Sequence, residues 1–321
     1  MSEPRVLVLD AEPLPRLDRL HGRARVVHAD EKDLADHLPH ADVLLVWDFL
    51  SDAVREAWPG GGPRPRWVHT PSAGVDRLLP ELGESPDTVV TNARGVFDQP
   101  IAEYVAGLVL AMAKDFHGTW ELQRQRRWRH RETIRVGGTK AVVVGSGPIG
   151  RAIGRTLTAL GVGVELVGRR ERTGDPEFGT VHAIGSLDAL LPEADWVVCV
   201  APLTEESRGL FGAGAFARMK QDARFINVGR GAHVVEDALA DALAGEQIAG
   251  AALDVFAEEP LPEESPLWDA PGLLISPHMS GDTVGWRDDL ARQFLDNFDR
   301  WEAGEPLRNV VDKGLGYVPG G

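Results

Sequence analysis

The chain has 321 residues, of which 43% are hydrophobic and 26% are charged, as in an ordinary globular protein large enough for two domains. Its formal net charge of −15 argues against nucleic acid or an anionic membrane as a partner, and it contains no apolar run of transmembrane length. Its single cysteine, Cys199, excludes an intrachain disulfide, and because the N-terminus lacks a signal-peptide pattern we expect a cytoplasmic protein.

The first ninety or so residues alternate short apolar runs with polar segments of helical character. The predicted strands are residues 6–9, 25–27, 43–47, 67–69 and 88–91. The predicted helices between them are residues 31–38, 51–58 and 76–79. This alternation predicts a parallel sheet with helices on its faces.

A long helix is predicted next. Pro100 suits the first helical position, and residues 101–113 are almost wholly apolar, which indicates a helix buried on most sides. The chain then becomes basic through residues 120–135, a segment that also contains tryptophan.

The most informative local motif is a glycine loop formed by Gly145, Ser146, Gly147, Pro148, Ile149 and Gly150. It follows a predicted strand, residues 141–144, and opens a helical segment, after which the apolar stretch 162–167 completes a βαβ unit. In that setting Gly145 allows a tight turn, Gly147 lets a pyrophosphate approach the backbone, and Gly150 lets helix and strand pack closely. The free N–H groups of the helix N-terminus suit phosphates. The loop therefore predicts dinucleotide binding.

The end of the second strand of this βαβ unit departs from the usual NAD-binding pattern, in which an acidic residue holds the ribose 2′-hydroxyl. Here the strand runs into Gly168, Arg169 and Arg170, with Arg172 close behind. Because a planar guanidinium suits a 2′-phosphate, we expect Arg169 and Arg170 to bind it and NADP(H) to be favoured over NAD(H). The alternative is a solvated arginine pair on a surface turn.

The remaining strands complete the fold prediction. Six parallel strands are predicted around the glycine loop, at residues 141–144, 164–167, 196–200, 225–228, 250–253 and 273–275. A final helix, residues 284–301, is predicted to return to the first domain. The fold class is therefore α/β with two doubly wound parallel-sheet (Rossmann-like) domains. A dinucleotide-binding domain, residues 98–283, is inserted into a flavodoxin-like substrate domain of residues 1–97 and 284–321, and ligands are expected in the cleft between them.

Three polar groups follow predicted strands of the second domain, at the end where such sheets bind ligands. Arg230 follows the fourth strand, Glu259 lies beyond the fifth, and His278 follows the sixth. Together they suit carbonyl reduction, because a histidine can donate a proton to the oxygen, a carboxylate can orient the ring, and an arginine can bind a keto acid. Taken singly, each of the three residues is also compatible with a structural or solvated role in a loop. No metal site is predicted.

These residues belong to ordered motifs that span nearly the whole chain and resemble the NAD(P)-dependent D-2-hydroxyacid dehydrogenases. The motifs are Ser72–Asp76, Thr91–Phe97, Ala102–Glu103, the glycine loop, Ala201–Thr204, Asn227–Gly231, Asp254–Phe256 with Glu259–Pro260, and Pro277–His278 with Ser280–Gly281. The resemblance implies an oxidoreductase that transfers a hydride between NADPH or NADH and a small 2-keto acid or D-2-hydroxy acid.

The resemblance also implies a role for each catalytic residue. Arg230 would anchor the substrate, His278 would act as acid and base, and Glu259 would orient the histidine. The backbone N–H groups of Ala73 and Gly74 would bind the substrate carboxylate in a small anion nest.

Further ligand contacts follow from the same resemblance. Besides the glycine loop, the implied cofactor contacts are Pro202, Thr204, Val228, Asp254 and Ser280. Asp254 would hydrogen-bond the nicotinamide carboxamide. Leu50, in the loop of residues 47–50, is expected to line the substrate pocket.

The sequence leaves open which branch of the family the chain resembles most and whether it is an enzyme or a binding protein. Among the branches of the family, the NADPH-leaning glyoxylate and hydroxypyruvate reductases fit best, although another 2-hydroxyacid branch is compatible. The second alternative is a cofactor-sensing, corepressor-like binding protein, since such proteins keep the same arginine, glutamate and histidine.

The basic segment of residues 120–135 has two interpretations. In the family that it resembles, this segment forms a dimer interface, and exposed tryptophan is uncommon on a monomer, so we expect a homodimer. The alternative is an exposed basic helix.

Overall fold

The computed structural model describes residues 3–10, 14–49, 51–83 and 85–319. The strands are β1 (Arg5–Leu9), β2 (Arg25–Ala29), β3 (Val43–Val46), β4 (Trp67–Thr70), β5 (Val89–Asn92), β6 (Lys140–Val144), β7 (Gly163–Gly168), β8 (Arg172–Asp175), β9 (Gly179–Ala183), β10 (Trp196–Cys199), β11 (Arg224–Asn227), β12 (Gly250–Leu253) and β13 (Leu273–Ile275). The α-helices are α1 (Leu34–His37), α2 (Ala53–Ala57), α3 (Leu79–Leu82), α4 (Asp98–Ala113), α5 (Phe116–Arg124), α6 (Pro148–Ala159), α7 (Leu187–Leu190), α8 (Ala213–Phe216), α9 (Glu236–Ala244) and α10 (Trp286–Ala303). Short 3₁₀ helices lie at Leu17–Leu20, Leu38–His40, Ile184–Ser186, Leu191–Glu193, Gly231–His233 and Pro266–Asp269.

The chain divides into two compact units. The first comprises Met1–Phe97 with Thr283–Gly321, and the second comprises Asp98–Asp282. No helix in the described ranges combines the length and the apolar character that a membrane span requires.

The first unit is built on a parallel sheet with the strand order β2-β1-β3-β4-β5. Both faces of this sheet are covered, which is why β1 and β3 are continuous apolar runs instead of alternating ones. Val6 and Val8 belong to the core on one face, together with Phe294 of helix α10, while Leu7 and Leu9 belong to the core on the other face.

The second unit is built on an eight-stranded sheet with the order β13-β12-β11-β10-β6-β7-β9-β8. Six of these strands, in the order β9-β7-β6-β10-β11-β12, follow the doubly wound order 3-2-1-4-5-6 of dinucleotide-binding sheets. The carboxyl ends of the neighbouring parallel strands β6, β10, β11, β12 and β13 therefore lie along one edge. The prediction of two parallel-sheet α/β domains is confirmed.

The second sheet has eight strands where the sequence predicted six. The additional strands are β8 and β9, which form an antiparallel pair whose second strand joins β7 in parallel. The prediction missed them because residues 172–175 are polar and largely exposed, so they carry no apolar pattern.

Two helix starts differ from the prediction. Helix α4 begins at Asp98, which puts Pro100 at its third position instead of its first. Proline is tolerated there because the N–H groups of a first turn have no partner within the helix. Helix α3 begins at Leu79, one residue before Pro80, so the predicted helix at residues 76–79 is mostly a turn.

Candidate active site

The glycine loop joins the end of β6 to the start of α6. Gly145 has φ +127°, and a Cβ there would lie 2.8 Å from the backbone carbon of Val200; a Cβ at Gly150 would overlap the carbonyl oxygen of Gly145. At Gly147, in contrast, a Cβ would meet no atom within 4 Å. At 145 and 150 the neighbouring backbone atoms leave no room for a side chain, so glycine is required there. At Gly147 the space beside the helix N-terminus is open. This cradle fits the pyrophosphate of a dinucleotide.

Ser146 of the glycine loop and Arg172, the first residue of β8, form a polar cluster beside Gly168 at the end of β7. The Arg172 guanidinium donates to the Ser146 hydroxyl at 3.2 Å. A Cβ at Gly168 would overlap that hydroxyl, so an acidic side chain at 168 would displace Ser146 from its present position. Arg169 and Arg170 are exposed. Of the arginines after β7, Arg172 is the one that touches the glycine loop.

The pair of strands β8 and β9 is fastened to the first turn of helix α6. Arg151 of α6 donates to Asp175, whose side chain is only 6% exposed, and to Glu177 at 3.0 Å. The hydrogen bond from Arg151 outweighs the opposing effect of burial and holds the pKa of Asp175 well below its usual range. These ion pairs hold the end of β8 against α6 and so keep the strand, which begins at Arg172, beside the loop.

The segment after β10 packs against the glycine loop. A Cβ at Gly145 would touch Val200 and Ala201, so the two backbones are in close contact. Beyond them Pro202 and Thr204 are exposed, and Ser207 shapes their turn by donating to the Pro202 carbonyl at 2.9 Å and accepting from the Thr204 N–H at 2.9 Å.

The loop after β11 holds Arg230. Asn227 donates from its amide to the Arg230 carbonyl at 2.9 Å, and its oxygen accepts from the Gly229 N–H at 3.0 Å. The preceding Val228 is buried and donates its N–H to the Cys199 carbonyl of β10. The Arg230 side chain donates to the Gly229 carbonyl at 2.8 Å.

His278 and Glu259 form a hydrogen-bonded pair. His278 Nδ1 lies 2.7 Å from Glu259 Oε2, and the other carboxylate oxygen accepts from the Phe256 N–H at 2.9 Å. Burial raises the pKa of Glu259, but the hydrogen bonds from His278 and Phe256 and the charges of His278 and Arg230 outweigh it, so that the net shift is downward. Glu259 is therefore ionised at neutral pH, and Nε2 is the ring nitrogen of His278 that remains for a substrate.

Asp254, at the carboxyl end of β12, anchors the loop that carries His278. It is 1% exposed. Its Oδ1 accepts from the Ser276 hydroxyl at 2.6 Å and the Met279 N–H at 3.0 Å, and its Oδ2 accepts from the Ser280 N–H at 2.9 Å. Its carbonyl also accepts from the His278 N–H at 2.8 Å.

In the first unit, Ala73 and Gly74 follow the carboxyl end of β4. The Asn92 amide donates to the Ala73 carbonyl at 2.7 Å, and Asn92 Oδ1 accepts from the Arg94 N–H at 3.2 Å. This loop is thus held from the end of the neighbouring strand β5. Leu50 lies outside the described residues.

An aromatic cluster lies near the same edge of the first sheet. Phe49, which follows β3, packs edge-on against Trp286 with ring centroids 6.5 Å apart, and Phe97 packs on Trp286 at 6.3 Å.

Comparisons with known proteins agree with this arrangement. Residues 106–280 match the family described as D-isomer specific 2-hydroxyacid dehydrogenase, NAD binding domain. The glyoxylate/hydroxypyruvate reductase B of Pectobacterium carotovorum is 33% identical over 279 residues, which are 83% of this chain and 82% of that protein. The chain belongs to the D-isomer specific 2-hydroxyacid dehydrogenases.

Solved structures of similar dehydrogenases match nearly the whole length of this chain. An NADPH-dependent glyoxylate/hydroxypyruvate reductase from Sinorhizobium meliloti, in complex with NADP and sulfate, has a TM-score of 0.83 and 28% identity, and the match covers 98% of this chain and 100% of that one. A D-isomer specific 2-hydroxyacid dehydrogenase from Xanthobacter autotrophicus, in complex with NADPH and MES, has a TM-score of 0.81 and 31% identity, with 98% and 100% coverage.

The second unit of this dehydrogenase holds most of the site residues that the sequence predicted. Arg230, Glu259 and His278 lie together there, with the charge of Arg230 acting on Glu259. Ala73 and Gly74 belong to the first unit.

Sequence reasoning missed several residues of this dehydrogenase that shape the site. Asn227 and Asn92 each hold a loop through an amide, and Ser276 bonds Asp254. The recognised motifs contain Asn92 and Asn227, but the sequence analysis gave neither residue a role; their position at the end of a strand was the available signal.

Proposed function

We propose that this dehydrogenase reduces small 2-keto acids, glyoxylate and hydroxypyruvate among them, with NADPH as the preferred cofactor and His278 as the proton donor. The observation that carries the proposal is the His278–Glu259 pair at 2.7 Å, set in a chain whose relatives are named glyoxylate/hydroxypyruvate reductases. Bound NADPH would supply the hydride that adds to the keto carbon.

The hydrogen bond between His278 and Glu259 supports the role of proton donor. Glu259 accepts the Nδ1 proton, which fixes the ring orientation and leaves Nε2 to deliver a proton to the developing alkoxide. In the opposite direction Nε2 accepts the hydroxyl proton of a 2-hydroxy acid.

The arginine and the loop after β4 supply the anion contacts. We assign the Arg230 guanidinium to the substrate carboxylate and carbonyl, where a planar cation can bind two oxygens at once. The backbone N–H groups of Ala73 and Gly74 are assigned to the substrate carboxylate, since Asn92 holds that loop in place.

The test is oxidation of NADPH by the purified protein with keto acids of graded size. Replacing His278 by Gln should lower kcat by about a hundredfold or more, because proton transfer is lost, while the Kd for NADPH stays within about twofold of the parent value. A parent protein that binds NADPH tightly but reduces no keto acid would contradict the proposal and favour the corepressor-like alternative.

The matched control is the other histidine–glutamate pair of this unit. His182 Nε2 lies 2.8 Å from Glu165 Oε2, on the outer part of the sheet, where the Glu165 side chain is 50% exposed. His182→Gln removes an equivalent hydrogen bond away from the proposed site. Its kcat should be that of the parent enzyme.

Preference for NADPH is supported by the cluster at the end of β7. Position 168 is glycine, a side chain there would overlap the Ser146 hydroxyl, and Arg172 contacts that hydroxyl. A guanidinium and a hydroxyl form a site for the 2′-phosphate of NADPH and gain little from a neutral ribose.

Substitution of Arg172 tests this preference. Arg172→Ala should reduce kcat/KM for NADPH about tenfold, because a charge-assisted hydrogen bond is lost, and leave the value for NADH nearly unchanged. Arg169→Ala and Arg170→Ala test the two exposed arginines that the sequence assigns to the same phosphate, and because neither contacts Ser146 each should have a smaller effect than Arg172→Ala. Equal use of NADH and NADPH by the parent enzyme would overturn the assignment.

We also propose that the enzyme is a cytoplasmic homodimer. Support comes from the segment after α4, where Trp120 is 60% exposed and Trp128 is fully exposed. Large exposed aromatic side chains are typical of a surface that a protein partner covers.

A further inference from the structure

A buried histidine that the proposed mechanism does not use lies in the loop of Arg230. His233 ends the short 3₁₀ helix Gly231–His233 and is 0% exposed. A Cβ at Gly229 would lie 3.3 Å from Nδ1 and Cε1 of the ring, so the ring packs closely against the backbone of this loop. Close packing of this kind leaves the ring little freedom to turn.

Both nitrogens of the His233 ring face backbone atoms. Nδ1 lies 3.2 Å from the backbone nitrogen of Arg230 and 2.9 Å from the carbonyl oxygen of the same residue. Nε2 lies 3.4 Å from the carbonyl oxygen of Pro202. Since Pro202 follows β10 and Arg230 follows the neighbouring strand β11, one side chain joins the loops of two adjacent strands.

The partners of the ring determine which nitrogen carries the proton. The Pro202 carbonyl can only accept, so Nε2 must carry a proton to bond it. The Arg230 carbonyl already accepts from the Asn227 amide at 2.9 Å and from the His233 N–H at 3.2 Å, which use its two lone pairs. Nδ1 is then the acceptor for the Arg230 N–H, as in a helix capping box. The ring is therefore neutral, with its proton on Nε2.

Main-chain hydrogen bonds join the later parts of the same two loops. The His233 carbonyl accepts from the Phe211 N–H at 2.9 Å, and the Phe211 carbonyl accepts from the Val235 N–H at 3.0 Å. The ring of His233 extends this contact to the first residues of the loops, where Pro202 is assigned to the cofactor and Arg230 to the substrate.

We propose that His233 is a positioning residue that couples the substrate anchor to the cofactor loop. By accepting from the Arg230 N–H it fixes the backbone from which the guanidinium extends. By donating to the Pro202 carbonyl it holds the segment assigned to NADPH. The inference rests on the proposed function, because it takes Arg230 as the substrate anchor and Pro202 as a cofactor contact.

Two conservative substitutions separate the two hydrogen bonds. Asparagine places an acceptor near the position of Nδ1 but is too short to reach Pro202, whereas glutamine places a donor near the position of Nε2 and leaves no acceptor at Nδ1. His233→Asn should raise the Kd for NADPH about fivefold and keep kcat/KM for the keto acid, at saturating NADPH, within about twofold. His233→Gln should do the reverse, with that kcat/KM about fivefold lower and the Kd for NADPH within about twofold.

The third variant and the controls complete this test. His233→Leu removes both hydrogen bonds and should show both losses. His182→Asn and His182→Gln make the same changes at the His182–Glu165 pair of this unit and should behave as the parent enzyme. Parent values of both constants in His233→Leu would overturn the proposal, as would loss of the same constant in His233→Asn and His233→Gln.

A second measurement needs neither turnover nor ligand. In protein labelled with ¹⁵N in the histidine rings, the His233 signals are assigned by their disappearance in His233→Asn or His233→Leu. The chemical shifts of the two ring nitrogens at neutral pH should show a protonated Nε2 and an unprotonated Nδ1. A proton on Nδ1 would refute the coupling. If the parent enzyme reduces no keto acid while the ring shows the expected tautomer, the proposed function fails and the contact between the two loops stands.

Discussion

Two histidine–glutamate pairs of nearly equal length occur in the second unit, and their surroundings distinguish them. His278–Glu259 spans 2.7 Å with the glutamate side chain 19% exposed, whereas His182–Glu165 spans 2.8 Å with its glutamate 50% exposed. A surface pair is screened by water and contributes little. Glu259 also accepts a backbone N–H and faces the charge of Arg230, so its carboxylate is held in one place and one charge state.

A third histidine, His69 on β4, is fully buried and packs against Trp67 and Phe294. Its Nδ1 lies 2.8 Å from Thr91 Oγ1, which also accepts from Trp67 Nε1. Burial lowers the pKa of His69 from 6.5 to about 3. The ring is therefore neutral in the folded chain across the physiological range.

His69 should make stability depend on pH. Because its pKa is lower in the folded chain, the unfolded chain binds more protons between about pH 3 and pH 6.5. The stability that is fully present above about pH 6.5 is therefore lost as the pH falls toward 3. In His69→Asn, which can keep a hydrogen bond to Thr91, the loss between about pH 6.5 and pH 5 should be smaller by about 2 kcal/mol.

Urea unfolding followed at each pH measures this difference. His28→Asn, at an exposed position of β2 in the same sheet, is the control and should show the pH dependence of the parent protein. The same slope in His69→Asn and in the parent would contradict the prediction.

At the scale of elements, the loops after neighbouring strands of the second sheet determine each other's positions. Gly231, after β11, lies so close to Phe256, after β12, that a Cβ would overlap the Phe256 backbone. This contact brings the loop of Arg230 against the loop of Glu259. Gly147 is the opposite case, because a Cβ there meets nothing in the protein.

Alanine at these two glycines should therefore have opposite effects. Gly231→Ala should lower the free energy of unfolding by about 3 kcal/mol, since backbone must move to admit the methyl group. Gly147→Ala should leave Tm nearly unchanged but weaken NADPH binding about tenfold, because the methyl group fills the space assigned to the pyrophosphate.

Thermal unfolding and fluorescence titration with NADPH distinguish the two outcomes. Gly185→Ala, another position where a Cβ meets no atom within 4 Å, is the control for the substitution itself. Gly147→Ala with parent affinity for NADPH would show that the ligand does not approach the loop at that residue.

At the scale of the whole molecule, the distribution of charge and apolar surface is uneven. The chain carries a net charge of −15, yet residues 120–135 are basic and expose Trp120 and Trp128. Helix α5 ends at Arg124, so most of this segment has no regular structure of its own. An irregular, basic and aromatic segment on an acidic protein suits a surface of a second copy.

Replacement of both exposed tryptophans tests the dimer. The parent protein should sediment as a dimer, and Trp120→Ala with Trp128→Ala should shift it toward monomer, because the aromatic contact area of the interface is lost. Trp268→Ala, which removes a tryptophan 52% exposed elsewhere in the second unit, is the control and should leave the dimer intact. Sedimentation of the parent protein as a monomer would refute the assignment.

The sequence predicted those features that neighbouring residues decide. Apolar runs marked the strands of both sheets, apart from β8 and β9, because burial on two faces demands them. Three glycines between a strand and a helix marked the dinucleotide loop, since their spacing is set by the turn itself. His278, Glu259 and Arg230 were found because each follows a strand whose carboxyl end lies on the edge where doubly wound sheets bind ligands.

Tertiary structure alone decided which distant side chains meet. Arg172 contacts Ser146 because an ion pair holds β8 against α6. No apolar pattern in the sequence predicted β8. Local sequence determines which backbone conformations are favourable, whereas a contact between residues far apart in the chain exists only once the intervening core has packed.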